Sequence, residues 1–419
     1  MKLEELIPAL GNLPEQPFWS NIAFHWEESQ AHFPADGKPV FLDHGEIARN
    51  FARIHYREDL VPALCAKADE ILSKPGLLRF AWHIYYRVFL DPARNSWFHT
   101  FELPDSFAGE NKGLVTLLIA LGSVPLIDRV YAAVPGLPSD FAPNRHEWLA
   151  GTIDIYKAAH DGRPGHDTQQ IGWLSYAADG ILFRIGRFEF LMEENCPAFL
   201  PPVFINRKIG KIAVMARPGW TYDKDGRRVV PSSPDVFRTA EFSDAGGRIE
   251  GLHLRYDSTT DFEHLSLDRH DWEPLVSPWS RFVSMHIPAG GGMTPEVARA
   301  SFAGAVEFFR KYMHRDLPVI TCSSWILNEE WSLRMPESNL GKFQKSIFRF
   351  DGPRESNAAG LFFVFGRDGG LDPDDPKLRN TTLRRFMLDA MKAGRLRSNF
   401  GFIPTEFLDR FGDPASYSV

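Results

Sequence analysis

The chain has 419 residues, of which 44% are hydrophobic and 24% are charged. These fractions are ordinary for a globular protein, and the length leaves room for two or three domains with cores of their own. The net charge of −7 comes without any long basic run, which argues against nucleic acid as the main partner.

Residues 1–164 carry the pattern of an all-helical domain. Apolar residues recur every three to four positions, and breaks rich in Gly, Pro and Asn separate the helices. The longest apolar run, residues 113–127, contains Pro125 and is too short to span a bilayer comfortably, so we expect a buried helix and no membrane partner. The predicted helices cover residues 46–57, 60–72, 76–90, 113–134 and 146–160.

The pattern changes to strands near residues 161–165, and we place a second domain over residues 165–419. Residues 171–176 and 181–190 predict two strands that Asp179–Gly180 joins as a hairpin. The sequence therefore predicts an α+β protein, in which a mixed, mainly antiparallel sheet with flanking helices follows the helical domain. Further predicted strands cover 212–216, 248–256, 347–350 and 361–365, and further helices cover 328–333 and 382–392.

The most informative stretch, residues 282–325, has the pattern of a strand, a glycine-rich loop, a helix and a strand. Residues 282–287 form a short β-rich run, and Pro288 ends it because proline has no N–H to donate to a sheet. Thr294 and Pro295 are typical of a helix N-terminus. The helix and the second strand are predicted at residues 297–312 and 319–322.

The loop between that strand and that helix contains Gly290, Gly291 and Gly292. Glycines let a backbone approach a phosphate closely, and a helix N-terminus adds free N–H groups and a partial positive charge. We therefore expect a ligand that carries phosphate. The loop matches neither the Rossmann nor the P-loop motif, and the alternative is a flexible connector whose glycines only turn the chain.

Several segments, some of them within the strand–loop–helix–strand pattern of residues 282–325, carry a resemblance to a known family. They are residues 171–174, 182–189, 286–288 with Gly290, 322–325 and 336–339. In their order they resemble the GNAT acyltransferase fold, and still more closely a bacterial N-acyltransferase family with a helical N-terminal domain and a GNAT-like C-terminal acyltransferase domain. The resemblance implies acyl-CoA or acetyl-CoA as co-substrate, a small-molecule amine as acceptor, and no metal.

The same resemblance implies which residues bind the co-substrate. Backbone groups of residues 285–287 would pair with the pantetheine amides, and N–H groups of residues 290–294 would hold the pyrophosphate. Common GNATs have Arg or Gln at the head of this loop, whereas this chain has Pro288 and Ala289. The predicted binding residues are Met285, Ile287, Gly290, Gly291, Gly292, Met293, Thr294 and Asn328, of which Asn328 has the alternative role of a helix cap.

Three residues are candidates for catalysis. His286 would lie beside the thioester as a general base, and its alternative is a histidine hydrogen-bonded to a backbone carbonyl. Glu189, predicted to share a strand face with Arg187, is the second candidate base, and its alternative is a cross-strand salt bridge. Cys322 would be the nucleophile of an acyl-enzyme, and its alternative is a buried packing cysteine.

Cys65, Cys196 and Cys322 lie far apart and form no CxxC pair, so we expect reduced thiols and no cysteine-rich zinc site. An odd, sparse count of cysteines fits a cytoplasmic protein. The first fifteen residues lack the basic start and apolar core of a signal peptide, so we expect none.

Two further functions fit parts of the sequence. A glycoside hydrolase would use paired carboxylates such as Glu189 and Glu250. A non-catalytic module would bind a carbohydrate or a peptide on the β-rich half of the chain.

Overall fold

A computed structural model of the protein describes residues 2–6, 8, 22–93, 103, 105–195, 197, 199–277, 280–290, 292–351, 357–367 and 369–419. Gly291 and Cys196 lie outside these residues. The chain divides into two compact units, Met1–Arg184 with Pro288–Gly290, and Ile185–Ile287 with Gly291–Val419. The domain boundary between residues 164 and 165 stays a prediction.

The first unit is built of helices, as the apolar spacing predicts. Its helices are α1 (Trp26–Ala31), α2 (His44–Arg53), α3 (Val61–Ser73), α4 (Pro75–Phe89), α5 (Asp105–Ala108), α6 (Gly113–Leu121), α7 (Val124–Ala133), α8 (Glu147–Ala159), α9 (Thr168–Ile171) and α10 (Trp173–Ala178). Every residue of α6 is buried, which confirms the expected core helix. The single helix predicted over residues 113–134 breaks at Gly122, where a Cβ would come within 2.6 Å of the Tyr85 ring.

The strand predicted at residues 171–176 is wrong, because α9 and α10 occupy this segment. Ile171 and Leu174 are fully buried three positions apart, whereas Trp173 and Tyr176 are partly exposed, and that is helical spacing. Asp179–Gly180 is therefore the end of a helix rather than a hairpin. Gly180 has φ +72°, and the next N–H, of Ile181, bonds back to the carbonyl of Tyr176.

The single strand predicted at residues 181–190 is also wrong. The segment forms two strands, which a tight turn at Gly186 and Arg187 joins. Gly186 has φ +60°, and a Cβ on it would meet the Ser301 hydroxyl at 2.5 Å. The same hydroxyl accepts a hydrogen bond of 2.8 Å from the N–H of Arg187. Arg187 thus lies in the turn, and it does not share a strand face with Glu189.

The strands of the described residues lie in the second unit, except that β1 begins in the first unit and ends at Ile185. They are β1 (Leu182–Ile185), β2 (Phe188–Glu193), β3 (Val203–Asn206), β4 (Lys211–Val214), β5 (Thr221–Tyr222), β6 (Arg228–Val229), β7 (Arg238–Thr239), β8 (Phe242–Ala245), β9 (Arg248–Leu252), β10 (His264–Asp268), β11 (Glu273–Pro274), β12 (Phe282–His286), β13 (Val319–Ser324), β14 (Phe348–Phe350) and β15 (Asn399–Pro404). Its helices are α11 (Pro295–Met313), α12 (Glu330–Arg334), α13 (Asn339–Lys345), α14 (Leu361–Phe365) and α15 (Thr382–Lys392).

Six of these strands form one mixed sheet in the order β1–β2–β12–β13–β15–β14. β12 and β13 pair in parallel, whereas β2–β12, β13–β15 and β14–β15 are antiparallel. The remaining strands form three sheets of three strands each, and β3 and β4 share an apolar core with β12 to β15. The predicted α+β class, with a helical region before a mixed sheet, is confirmed.

The strand predicted at residues 361–365 is wrong, because this segment is α14. Glycines in the left-handed region, Gly360 and Gly366, bound it on both sides. Leu361, Phe362 and Phe365 are buried whereas Phe363 is 52% exposed, which is the pattern of one helical turn.

Candidate functional site

The parallel strands β12 and β13 are paired over only part of their length. The two strands pair at two positions, Val283 with Ile320 and Ser284 with Thr321. β12 continues to His286 and β13 to Ser324, and over that length β13 stays paired with β15 on its other side. The pairing of the two strands therefore ends at Ser284 and Thr321, and the ends of β12 and β13 beyond these residues, which are not paired with each other, are referred to as the opening.

The glycine loop connects β12 to α11 at this same edge. Gly290 has φ +138°, a conformation that side-chain-bearing residues rarely adopt. Thr294 caps α11, because its hydroxyl accepts a hydrogen bond of 3.4 Å from the N–H of Val297, and Pro295 follows in the first turn. The predicted helix start is confirmed, and α11 is long enough, at 19 residues, to present a full helix dipole at the loop.

A second helix begins next to the loop. A Cβ on Gly292 would lie 3.4 Å from the Nδ2 atom of Asn339, the first residue of α13. Ser338 caps α13 by accepting from the N–H of Gly341 at 3.0 Å. Gly292 thus lies beside the side chain of Asn339, two residues before the N-cap of α11.

His286 and Glu189 are brought together by strand register. Antiparallel pairing places them directly opposite each other on β12 and β2, so their side chains share one face of the sheet. The opposite face is apolar there, since Phe188 and Phe190 both pack against Phe302 of α11. Both predicted base candidates therefore lie on the sheet face away from α11, at the start of the opening.

His286 extends a row of polar side chains on that face. Its Nε2 atom lies 3.1 Å from the Ser284 hydroxyl, which in turn donates a 2.7 Å hydrogen bond to Glu193 Oε1. Burial of the imidazole lowers the pKa of His286 to about 4. At neutral pH the ring is consequently uncharged and carries a lone pair that can take a proton.

Cys322 and Asn328 are both buried in the second unit. Burial raises the pKa of the Cys322 thiol to about 12, so the thiol is protonated at neutral pH. Asn328 uses both ends of its side-chain amide on the protein itself: Nδ2 donates to the Arg395 carbonyl at 2.8 Å, and Oδ1 accepts from the Glu330 N–H at 3.1 Å. The side chain of Asn328 thus bonds within the turn that precedes α12, whose N-cap residue is Glu329, and its predicted contact with the co-substrate stays a prediction.

Sequence reasoning missed three residues of this site, namely Glu193, Ser284 and Asn339. The spacing of Ser284 and His286, two apart on a strand, was enough to place both side chains on one face. Glu193 required the register of β2 against β12, two strands that are far apart in the sequence. Asn339 required knowledge of where α13 packs.

Two other carboxylate groups lie apart from the opening. Glu250 is on β9 in a separate three-stranded sheet, where its Oε1 accepts from the Ser266 hydroxyl at 2.8 Å. Asp261 and Glu263 lie near buried His253, and one ligand atom from each of the three lies within 4.8 Å of the others. In this group Asp261 already pairs with Arg255, at 3.3 Å.

The region that contains β12, the glycine loop and α11 matches a known protein family. A family model of the GNAT-like C-terminal domain matches residues 182–403. A crystal structure of an acyltransferase with decanoyl-CoA and teicoplanin aligns over 97% of this chain and 100% of its own, at 20% identity and a TM-score of 0.59. An acyltransferase mutant with octanoyl-CoA aligns over 96% and 99%, at 20% identity and the same TM-score. Comparison with curated proteins gives no match.

Proposed function

Because the chain belongs to the family of proteins that carry a GNAT-like C-terminal domain, we propose that it is an acyl-CoA-dependent N-acyltransferase. It moves an acyl group from a CoA thioester to an amine of a small molecule. The observation that carries this proposal is the opening between β12 and β13 after Ser284, which ends at a glycine loop and the capped start of α11.

The strand ends and the glycine loop offer a binding group for each part of the acyl-CoA donor. Backbone groups of Met285, His286 and Ile287 pair with the amides of pantetheine, as an added strand does. N–H groups of Gly292, Met293 and Thr294, with the N-terminus of α11, hold the pyrophosphate, and this backbone cradle needs no Arg or Gln at the loop head. Acyltransferases of similar fold hold decanoyl-CoA or octanoyl-CoA, which supports an acyl-CoA donor for this chain.

Transfer requires a base for the amine proton and an acid for the leaving thiolate. The amine nitrogen attacks the thioester carbonyl carbon, the C–N bond forms, the C–S bond breaks, and the sulfur leaves as a thiolate that gains a proton. His286, uncharged at neutral pH, takes the amine proton, and Glu189 opposite it is the second candidate. Direct transfer needs no acyl-enzyme, which fits the protonated thiol of Cys322.

The acceptor belongs to the amine-bearing small molecules. One solved acyltransferase of similar fold contains teicoplanin beside decanoyl-CoA, so glycopeptides belong in the set of acceptors to be tested. The sparse cysteines further support a cytoplasmic location for the reaction.

Calorimetric titration with free CoA and with acetyl-, octanoyl- and decanoyl-CoA tests the donor site. We expect saturable one-to-one binding, weakened about tenfold by Gly292→Asp, because a carboxylate near a pyrophosphate costs roughly 1–2 kcal/mol. Gly292→Asn has the same shape without the charge and should bind as wild type does. If the two variants bind the CoA compounds with equal affinity, this loop does not bind the pyrophosphate.

Release of free CoA thiol in the presence of amines, with mass spectrometry of the product, tests the reaction. An amide product whose mass increases by one acyl group supports the proposal. Absence of acyl-CoA binding and of transfer to every amine tested, teicoplanin included, would overturn it.

A further inference from the structure

Three hydrogen-bonded side chains form a row on the sheet face that carries His286. Ser284 and His286 are two residues apart on β12, and Glu193 reaches Ser284 from β2. The Ser284 hydroxyl lies 2.7 Å from Glu193 Oε1 and 3.1 Å from His286 Nε2. The row therefore connects a carboxylate to the proposed base through one hydroxyl group.

The chemistry of the row fixes the direction of its hydrogen bonds. A serine hydroxyl has a single hydrogen, and a carboxylate only accepts. Ser284 gives its hydrogen to Glu193, so its oxygen accepts from His286, and Nε2 of His286 carries the hydrogen. In this tautomer the lone pair of the ring is on Nδ1, where an incoming proton would be bound.

We propose that Ser284 and Glu193 are positioning residues, which hold His286 in the tautomer with hydrogen on Nε2 and stabilise its imidazolium form after it has taken the amine proton. This inference rests on the proposed function. It adds two residues to the site and gives the polar face of β2 and β12 a role in the proton transfer.

The need for such a row follows from where His286 lies. Burial disfavours the charged ring, which makes it a weak base at neutral pH. A hydroxyl group polarised by a carboxylate offsets part of that cost, because it faces the N–H that bears charge in the imidazolium form. Glu189, directly opposite His286, and Glu193 are the acidic groups that face the ring within this pair of strands.

The row is not required to hold the two strands together. β2 and β12 pair through their backbones at every position from Phe282–Glu193 to His286–Glu189. Removal of the Ser284 hydroxyl leaves that ladder intact, so its loss should act on His286 rather than on the fold.

Ser284→Ala and Glu193→Gln test the proposal. We expect both to lower kcat about tenfold or more while the Kd for acyl-CoA stays within twofold, since the row acts on proton transfer and not on donor binding. Ser284→Thr keeps the hydroxyl group and should restore most of kcat. The matched control is Ser266→Ala, which removes a similar serine–glutamate bond, to Glu250, from a different sheet.

Nitrogen NMR of protein labelled in histidine gives a readout that does not depend on turnover. The His286 signal, assigned among 14 histidines by its loss in His286→Asn, should report hydrogen on Nε2 in the wild type and in Ser284→Thr. In Ser284→Ala we expect the signal to move toward the other tautomer.

Different results would overturn the positioning role of Ser284 and Glu193 and the proposed acyltransferase function. An active enzyme in which Ser284→Ala changes neither kcat nor the His286 tautomer would overturn the role of the row alone. A protein that binds acyl-CoA but acylates no amine would overturn the proposed function, and the kinetic role of the row with it.

Discussion

Cys322 illustrates how the environment of one residue limits its chemistry. It is fully buried in β13, and burial raises the pKa of its thiol to about 12. The nucleophile of an acyl-enzyme is a thiolate, and a thiol with that pKa supplies almost none at neutral pH. An exposed cysteine beside a base could act as a nucleophile, whereas a buried one could not. The sequence does not distinguish these two environments, and the structure does.

We expect Cys322→Ala to retain transfer within about threefold of wild type. The substitution removes one small buried atom, so its cost in stability should be about 1 kcal/mol. Initial-rate kinetics should show a sequential pattern, with both substrates bound before a product leaves. A ping-pong pattern, or a loss of kcat above a hundredfold in a folded Cys322→Ala protein, would contradict this expectation.

At the scale of elements, local signals predicted some parts of the fold well. β12, the loop and α11 were recognised because a proline, a run of glycines and the pair Thr294–Pro295 each act through neighbouring residues. The strand predictions for residues 171–176 and 361–365 are wrong, because short apolar runs fit one helical turn as well as a strand. β15 was missed although it lies between β13 and β14, since its neighbours in the sheet come from distant parts of the chain.

The candidate site shows the same division. The loop, the helix start and His286 were predicted from sequence, whereas the pairing of His286 with Glu189 depends on a register that no local pattern contains. The turn at Gly186, which fits against Ser301 of α11, likewise depends on a contact between elements. Contacts between elements therefore decided which polar residues meet.

Arg397 joins three elements of the second unit at a buried point. It pairs with Glu329, at the start of α12, and with Asp351, just after β14. Asn399, the first residue of β15, donates from Nδ2 to both carboxylates, at 3.1 Å to Glu329 and 3.2 Å to Asp351. One cation and one amide thus hold two carboxylates together at the junction of β14, β15 and α12.

Arg397→Met should lower the free energy of unfolding by about 3–5 kcal/mol, because it removes the cation that bridges the two carboxylates and leaves buried Asp351 beside Glu329, whose more exposed partner Arg227 lies 4.0 Å away. Arg395→Met is the matched control: Arg395 pairs with Glu330 at 3.2 Å but is 42% exposed, so its loss should cost at most about 1 kcal/mol. Urea unfolding gives both values. Adding Glu329→Gln to Arg397→Met should recover part of the loss, and equal losses for the two arginine variants would contradict a buried junction.

At the scale of the whole molecule, buried histidines couple stability to pH. Burial lowers the pKa of His83 to about 3 and that of His166 and His286 to about 4. An unfolded histidine titrates near pH 6.5, so between about pH 6.5 and 4 the unfolded chain binds protons that the folded protein does not. Stability is therefore complete above pH 6.5, and it decreases as the pH falls toward 4.

Unfolding by urea at pH 7 and pH 5 measures this coupling. Each of the three histidines should contribute a loss of about 1–2 kcal/mol between the two pH values. His166→Gln should remove one such contribution, because glutamine can donate to the Asp167 carbonyl, as His166 Nδ1 does at 2.8 Å, and binds no proton in this range. His264→Gln, at an exposed position on β10, is the control and should leave the difference between pH 7 and pH 5 unchanged. If His166→Gln loses as much stability between these pH values as the wild type does, then protonation of His166 does not contribute to the loss, and its assignment as a buried, uncharged histidine is wrong.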